Sequence, residues 1–156
     1  GPVAEASITN VELCQYEMVF SAVPEIAQKK SVWQVSDLAQ ESILTFAKST
    51  RPSRQIRELL SPHASGDVSM TTSSSLGALT RLAASGYGIC AAPKAIVQTE
   101  LDRGVLLELK TDFDLPPISF TASYVSGTAI SGLVEEISES VVGFLKPRLI
   151  KNIYRN

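Results

Sequence analysis

At 156 residues and 16.7 kDa, with 44% hydrophobic and 19% charged residues and a mean hydropathy of +0.13, the chain has about the length of one domain and is too apolar to be intrinsically disordered. Fourteen Lys and Arg against sixteen Asp and Glu leave a net charge of -2, so no basic field exists to neutralise a phosphate backbone, and the chain by itself is not expected to bind nucleic acid. No apolar run approaches the roughly 18 residues of a membrane span and no charged-then-apolar signal segment opens the chain; a soluble, cytoplasmic domain without a membrane partner is expected.

Val11 to Val23 is rich in β-branched, aromatic and aliphatic residues, with Leu13, Gln15, Glu17 and Val19 in partial alternation and Pro24 as a stop. It predicts one long strand. Ser36 and Asp37 can cap a short helix through Gln40, and Ser42 to Ala47 has the short apolar character of a buried parallel strand. Next comes Lys48-Ser49-Thr50-Arg51-Pro52-Ser53-Arg54. Its proline suits the first helical position, and the helix it opens carries an apolar stripe of Ile56, Leu59 and Leu60 ended by Pro62.

The pattern then repeats. Asp67 to Thr71 predicts a strand, Ser73 or Ser74 the cap of a helix with Leu76, Leu79 and Leu82 at helical spacing, and Gly86 its end. Gly88 to Ala92 is the next strand, Pro93 opens a helix with Ile96, Val97 and Leu101 up to Gly104, and Val105 to Leu109 is a further strand. After the Pro116-Pro117 break, Ile118 to Val125 alternates cleanly. The longest helix follows, Ile130 to Leu145, with Ile130, Leu133, Val134, Ile137, Val141 and Leu145 as its stripe and Glu135, Glu136 and Glu139 on its wet side. Strands alternating with helices predict an α/β class with parallel pairing. In such sheets ligands bind outside the carboxyl ends of the strands, where the following helices present their N-termini, which selects the loops Lys48 to Arg54 and Thr71 to Ser75.

Few residues suggest covalent chemistry. Gly86-Tyr87-Gly88-Ile89-Cys90-Ala91 spells a dinucleotide fingerprint, but a helix precedes it and a strand follows, the reverse of the required order, so the match is read as chance. His63, the only histidine, lies beside Pro62 in a turn and reads as solvent-facing, and the glutamates of the last helix read as solvated. No catalytic residue, cofactor or metal is expected. Cys14 and Cys90 lack the spacing of a metal site or redox pair and read as buried thiols in a reducing compartment. The cations and hydroxyls around Thr50 suit an anion at a helix start; a plain cap with solubilising charges fits them nearly as well. The hydroxyl run at Thr71 to Ser75 can form a polar-ligand rim or a loop of no special role.

The run SSSLGALTRLAASGYGICAAPKAIVQTELDRGVLLEL, with Gly86, Gly88, Pro93, Leu101, Gly104 and Leu106 in order, resembles the second half of the effector-binding domain of LysR-type transcriptional regulators. VWQVSDLAQESILTFAKST looks like the short helix and following strand upstream of it, and YEMVFSAVPEI like the strand crossing into the second subdomain. The resemblance implies a periplasmic-binding-protein-like (type 2) fold of two α/β subdomains. Residues 1–23 would be a crossover strand from subdomain one, 24–115 a complete second subdomain, and 116–156 a return strand and C-terminal helix of a first subdomain otherwise largely missing here. It also implies a non-enzymatic sensor of a small polar or anionic metabolite held in the cleft between subdomains. The effector-binding positions carried over are Ser49, Thr50, Arg51 and Ser53, with Thr72 and Ser73 nearby, and Arg51 and Ser53 are expected to be exposed. DNA would be reached only through a helix-turn-helix domain outside this chain. A homo-oligomer is expected, since the stripe of the last helix seeks a partner. The alternative is a lobe of a periplasmic-type solute-binding protein, which shares the fold; a small hydrolase is disfavoured by the placement of His63.

Overall fold

The structure is a computed structural model, and it describes residues 8–125, 132–134 and 136–143. The chain divides into two units, one holding Glu17–Pro117 and the other the described residues on either side of it.

In the smaller unit β1 (Ile8–Tyr16) pairs antiparallel with β7 (Ile118–Val125). Tyr16 and Phe120 meet edge to face at the end of the ribbon, their rings 5.6 Å apart and 89° to one another, the arrangement ring quadrupoles prefer. Residues 132–134 and 136–143 are helical, and along them Leu133 and Ile137 remain 58% and 53% exposed. Two of the four stripe residues among the described ones are therefore more than half exposed. The stripe's outer members Ile130 and Leu145 lie outside the described residues.

The larger unit is a five-stranded sheet in the order β4-β3-β5-β2-β6. Its strands are β2 (Met18–Ala22), β3 (Ile43–Phe46), β4 (Met70–Ser73), β5 (Ile89–Pro93) and β6 (Leu107–Glu108). Between them run α1 (Pro24–Ala27), α2 (Val35–Leu38), α3 (Arg51–Leu60), α4 (Leu76–Ala84) and α5 (Lys94–Asp102). β3 runs parallel to both β4 and β5, as expected, but β2 runs antiparallel to β5 and β6. The long strand expected over Val11 to Val23 is thus two strands in different sheets, which part at Glu17. Apolar composition is continuous across the break, and what separates the strands is their pairing, since β1 bonds to β7 while every residue of β2 is buried in the larger sheet.

Both faces of that sheet are covered, as a largely parallel sheet requires. Val19, Leu44, Cys90 and Ala92 point to one side and join Leu79 and Ala83 of α4, Val97 of α5 and Leu106 in a buried cluster, with Leu82 and Leu101 packed half-buried at its edge. Residues of the opposite parity, Phe20, Ile43, Ile89 and Ala91, are buried too, as are Leu38, Ile56 and Leu60 of α2 and α3. The strand expected at Asp67 to Thr71 starts later, at Met70, and β6 is only two residues long.

The helix ends follow local chemistry. α2 is capped by Gln34 rather than Ser36, because Asp37 sits three residues inside, where its carboxylate accepts the Gln34 N–H at 3.0 Å. α4 closes in a Schellman motif: Gly86 takes φ +78°, its N–H donates to Ala83 O at 2.9 Å, and the Tyr87 N–H donates to Leu82 O at 3.1 Å. The two glycines of the apparent dinucleotide fingerprint are thereby explained structurally, one as this cap and the other by the close approach of Gly88 to the Ser42 carbonyl.

Cys14 and Cys90 are both free and buried. Burial at the centre of β5 pushes the Cys90 thiol up to about 12, so it stays protonated and unreactive at neutral pH. In the folded protein at pH 8 a disulfide reagent should modify Cys90 only at the rate of global unfolding. Labelling in the first seconds under native conditions would contradict that placement.

Candidate functional site

The three parallel strands deliver their following helices to one edge of the sheet. β3 and β4 are direct neighbours in register, Thr45 opposite Thr72 and Phe46 opposite Ser73, so α3 and α4 start from strand ends about 4.8 Å apart. Neither helix carries an acidic residue in its first turn. Each keeps the positive end of its dipole unneutralised by its own side chains.

Thr50 caps α3: its Oγ1 donates to Ala47 O at 2.8 Å and accepts from the Ser53 N–H at 3.4 Å. Pro52 has no N–H, which leaves the Arg51 N–H as an open donor of that first turn among the described residues. Ser49 and Arg51 are exposed, as is Lys48. Ser53 differs from expectation. It is 1% exposed, and its Oγ has no hydrogen-bond partner among the described residues. It faces inward because it lies three and seven residues before Ile56 and Leu60 on the buried stripe of α3.

At α4 the cap is Ser75, not Ser73 or Ser74, its Oγ accepting from the Ala78 N–H at 3.3 Å. Ser73 instead accepts from the Ser75 N–H at 3.0 Å, stiffening the turn before the helix. Thr72 and Ser73 are half-buried on β4. The structure thus brings the six expected positions to one edge of the sheet, carried by two adjoining strand-to-helix turns.

Sequence reading missed the third turn of that edge. Lys94 opens α5 directly after β5, its N–H donates to Glu17 O at 2.9 Å, and its Nζ lies 2.9 Å from Glu108 Oε2 at the end of β6. The hydrogen bond to Glu108, helped by the Glu108 and Glu17 charges, holds the Lys94 ammonium above its ordinary range. This cation is already neutralised, whereas Lys48 and Arg51 make no ion pair among the described residues. His63 lies exposed in a single 3-10 turn, with its carbonyl accepting from Gln40 at 3.0 Å. Among the described residues no group of His, Cys, Asp and Glu could hold a metal ion, and no helix is long and apolar enough to cross a membrane.

Residues 1–144 match the family described as LysR substrate binding domain. Among solved structures the chain is similar to the regulatory domain of HypT from Salmonella typhimurium in its apo-form, with a TM-score of 0.68 at 21% identity, over 90% of this chain and 66% of that one. It is similar to the regulatory domain of MetR, a LysR family regulator from N. meningitidis, with a TM-score of 0.70 at 20% identity, over 90% and 66%. It is also similar to the Synechocystis PCC6803 CcmR regulatory domain in complex with 2-PG, with a TM-score of 0.73 at 18% identity, over 92% and 70%. The chain therefore spans about two thirds of these regulatory domains, and it covers 47% of the full-length HypT chain. No curated protein sequence matches it. The fold is of the periplasmic-binding-protein-like type 2.

Proposed function

The chain belongs to the LysR substrate binding domain family, and on that premise we propose that it is the effector-sensing part of a DNA-binding transcriptional regulator, without enzymatic activity of its own. Residues 24–115 act as the second effector-binding subdomain, with residues 1–23 and 116–156 belonging to the first. The effector is a small polar or anionic metabolite held by Ser49, Thr50, Arg51, Ser53, Thr72 and Ser73. Its binding favours one arrangement of subunits over another, and a DNA-binding domain carried elsewhere in the regulator reads out that shift.

The observation that supports this reading most is the first turn of α3, where the exposed Arg51 offers an open N–H and a guanidinium that makes no ion pair among the described residues. The Ser53 hydroxyl in the same turn is buried without a partner among the described residues, as is that of Ser21 in β2, and a buried hydroxyl left unsatisfied costs about 1–3 kcal/mol. Arg51 in the same turn supplies a charge and an open N–H for a carboxylate or phosphate. The 2-PG bound by the CcmR regulatory domain is a reasonable first probe.

Ser53→Ala separates function from structure. In the ligand-free protein it should leave the melting temperature unchanged or slightly raised, since it removes an unsatisfied group. Titrated calorimetrically with 2-PG and a panel of small carboxylates and phosphates, Ser53→Ala and Arg51→Ala should each weaken binding about tenfold or more, the worth of one hydrogen bond to a charged group. Wild-type titration curves for both variants would overturn the assignment of this edge.

A further inference from the structure

The register of the larger sheet sets one residue of each strand in a single row, Thr71, Leu44, Cys90, Ser21 and Glu108 across β4, β3, β5, β2 and β6. Four residues from that row toward the carboxyl edge come Ser75, Lys48 and Lys94 and, because β2 runs the other way, Glu17. Lys48 and Lys94 thus follow neighbouring strands about 4.8 Å apart. By position they are a pair of cations on the ligand edge.

Their surroundings separate them. The stretch from Lys48 to Arg57 contains no acid, and Lys48 and Arg51 make no ion pair among the described residues. Lys94 has two acids at hand. Its Nζ lies 2.9 Å from Glu108 Oε2, and the exposed Glu17, whose carbonyl accepts the Lys94 N–H at 2.9 Å, adds a second negative charge that favours the ammonium. Glu108 belongs to the row itself, four residues short of the edge, so the ion pair draws the Lys94 side chain back along the sheet. A ligand lying over the edge meets free positive charge at the turns after β3 and β4. Over β5 it meets a cation already balanced, with Glu17 beside it.

We propose that Glu108 and Glu17 are specificity-determining residues of the effector site: by holding the Lys94 ammonium they confine anion binding to the turns of α3 and α4, so the effector is acidic at one end only. This rests on the effector reading above. A second acid group carried past those turns and over β5 has to displace Glu108 from Lys94 while facing Glu17, and like charges so placed repel. The discrimination therefore comes from an element that works against the wrong ligand, and none of the three residues that make it is among the six effector positions.

NMR titrations with octanoate and with octanedioate test it. The diacid has carboxylates that lie, when it is extended, farther apart than one strand spacing, and the readout is the ratio of the two affinities. Unaltered chain should bind octanedioate no more tightly than octanoate. Glu17→Gln/Glu108→Gln frees the Lys94 ammonium and should move the ratio about fivefold toward the diacid, the upper end of what one exposed ion pair gives. Adding Lys94→Met should return the ratio to that of the unaltered chain, which a general loss of negative charge or a repacking of the edge would not do. A preference of the unaltered chain for the diacid, a ratio that the double variant leaves in place, or one that stays raised without Lys94 would each overturn the proposal while leaving the effector site standing. Failure of octanoate to bind, or binding that Arg51→Ala leaves unchanged, would overturn the effector reading and the proposal with it.

Discussion

Gly88→Ala should lower the melting temperature by about 10 °C, more than a change of one methyl group usually does. Gly88 is buried immediately before β5, and a Cβ added there would collide with the backbone carbonyl oxygen of Ser42, with the Ser42 carbonyl carbon and Cβ also in close contact. That oxygen cannot swing away, because it accepts the Ile89 N–H at 2.9 Å in the junction between β3 and β5. Relief requires the central pair of strands to separate, at a cost of roughly 3 kcal/mol. Gly77→Ala is the matched control, since nothing lies within 4 Å of a Cβ added there; placed inside α4, it should be neutral or stabilising. Equal melting temperatures for the two variants would contradict the packing of β3 on β5.

Leu79→Ala should cost roughly 2–5 kcal/mol, through lost transfer energy and the cavity left behind. Leu79 is 0% exposed and lies in the cluster with Leu44, Cys90 and Val97. Leu82 shares its helical stripe in the sequence, yet it packs half-buried at the edge of that cluster. Leu82→Ala should therefore cost about half as much, because less surface is returned to water and the site can collapse. Urea denaturation of the two variants checks the order. A larger loss at Leu82 would mean that α4 is rotated from the placement described.

What the sequence made legible depended on how locally each feature is determined. α3 could be read to within about a residue, because Pro52 fits the first turn and Pro62 stops the apolar stripe within a dozen residues. The cap of α4 was missed by one or two positions because Ser73, Ser74 and Ser75 are chemically equivalent, and only the backbone turn selects Ser75. The direction of β2 was hidden, since a buried apolar strand reads alike whether it runs parallel or antiparallel to its neighbours. The Lys94–Glu108 pair joins residues that meet only once β5, β2 and β6 are in register. Ser53 was readable in principle: its spacing to Ile56 and Leu60 puts it on the buried stripe, and the polarity of the side chain concealed that.

An amide-resolved NMR titration of the chain with inorganic phosphate, and then with 2-PG, tests most directly whether the carboxyl edge of the larger sheet is the ligand site. Progressive, saturable shifts should appear at the amides of Ser49 to Ser53 and Thr72 to Ser75, with the Arg51 amide among the largest, and Arg51→Ala should diminish them. Shifts confined to residues remote from this edge, or none at millimolar ligand, would contradict the assignment.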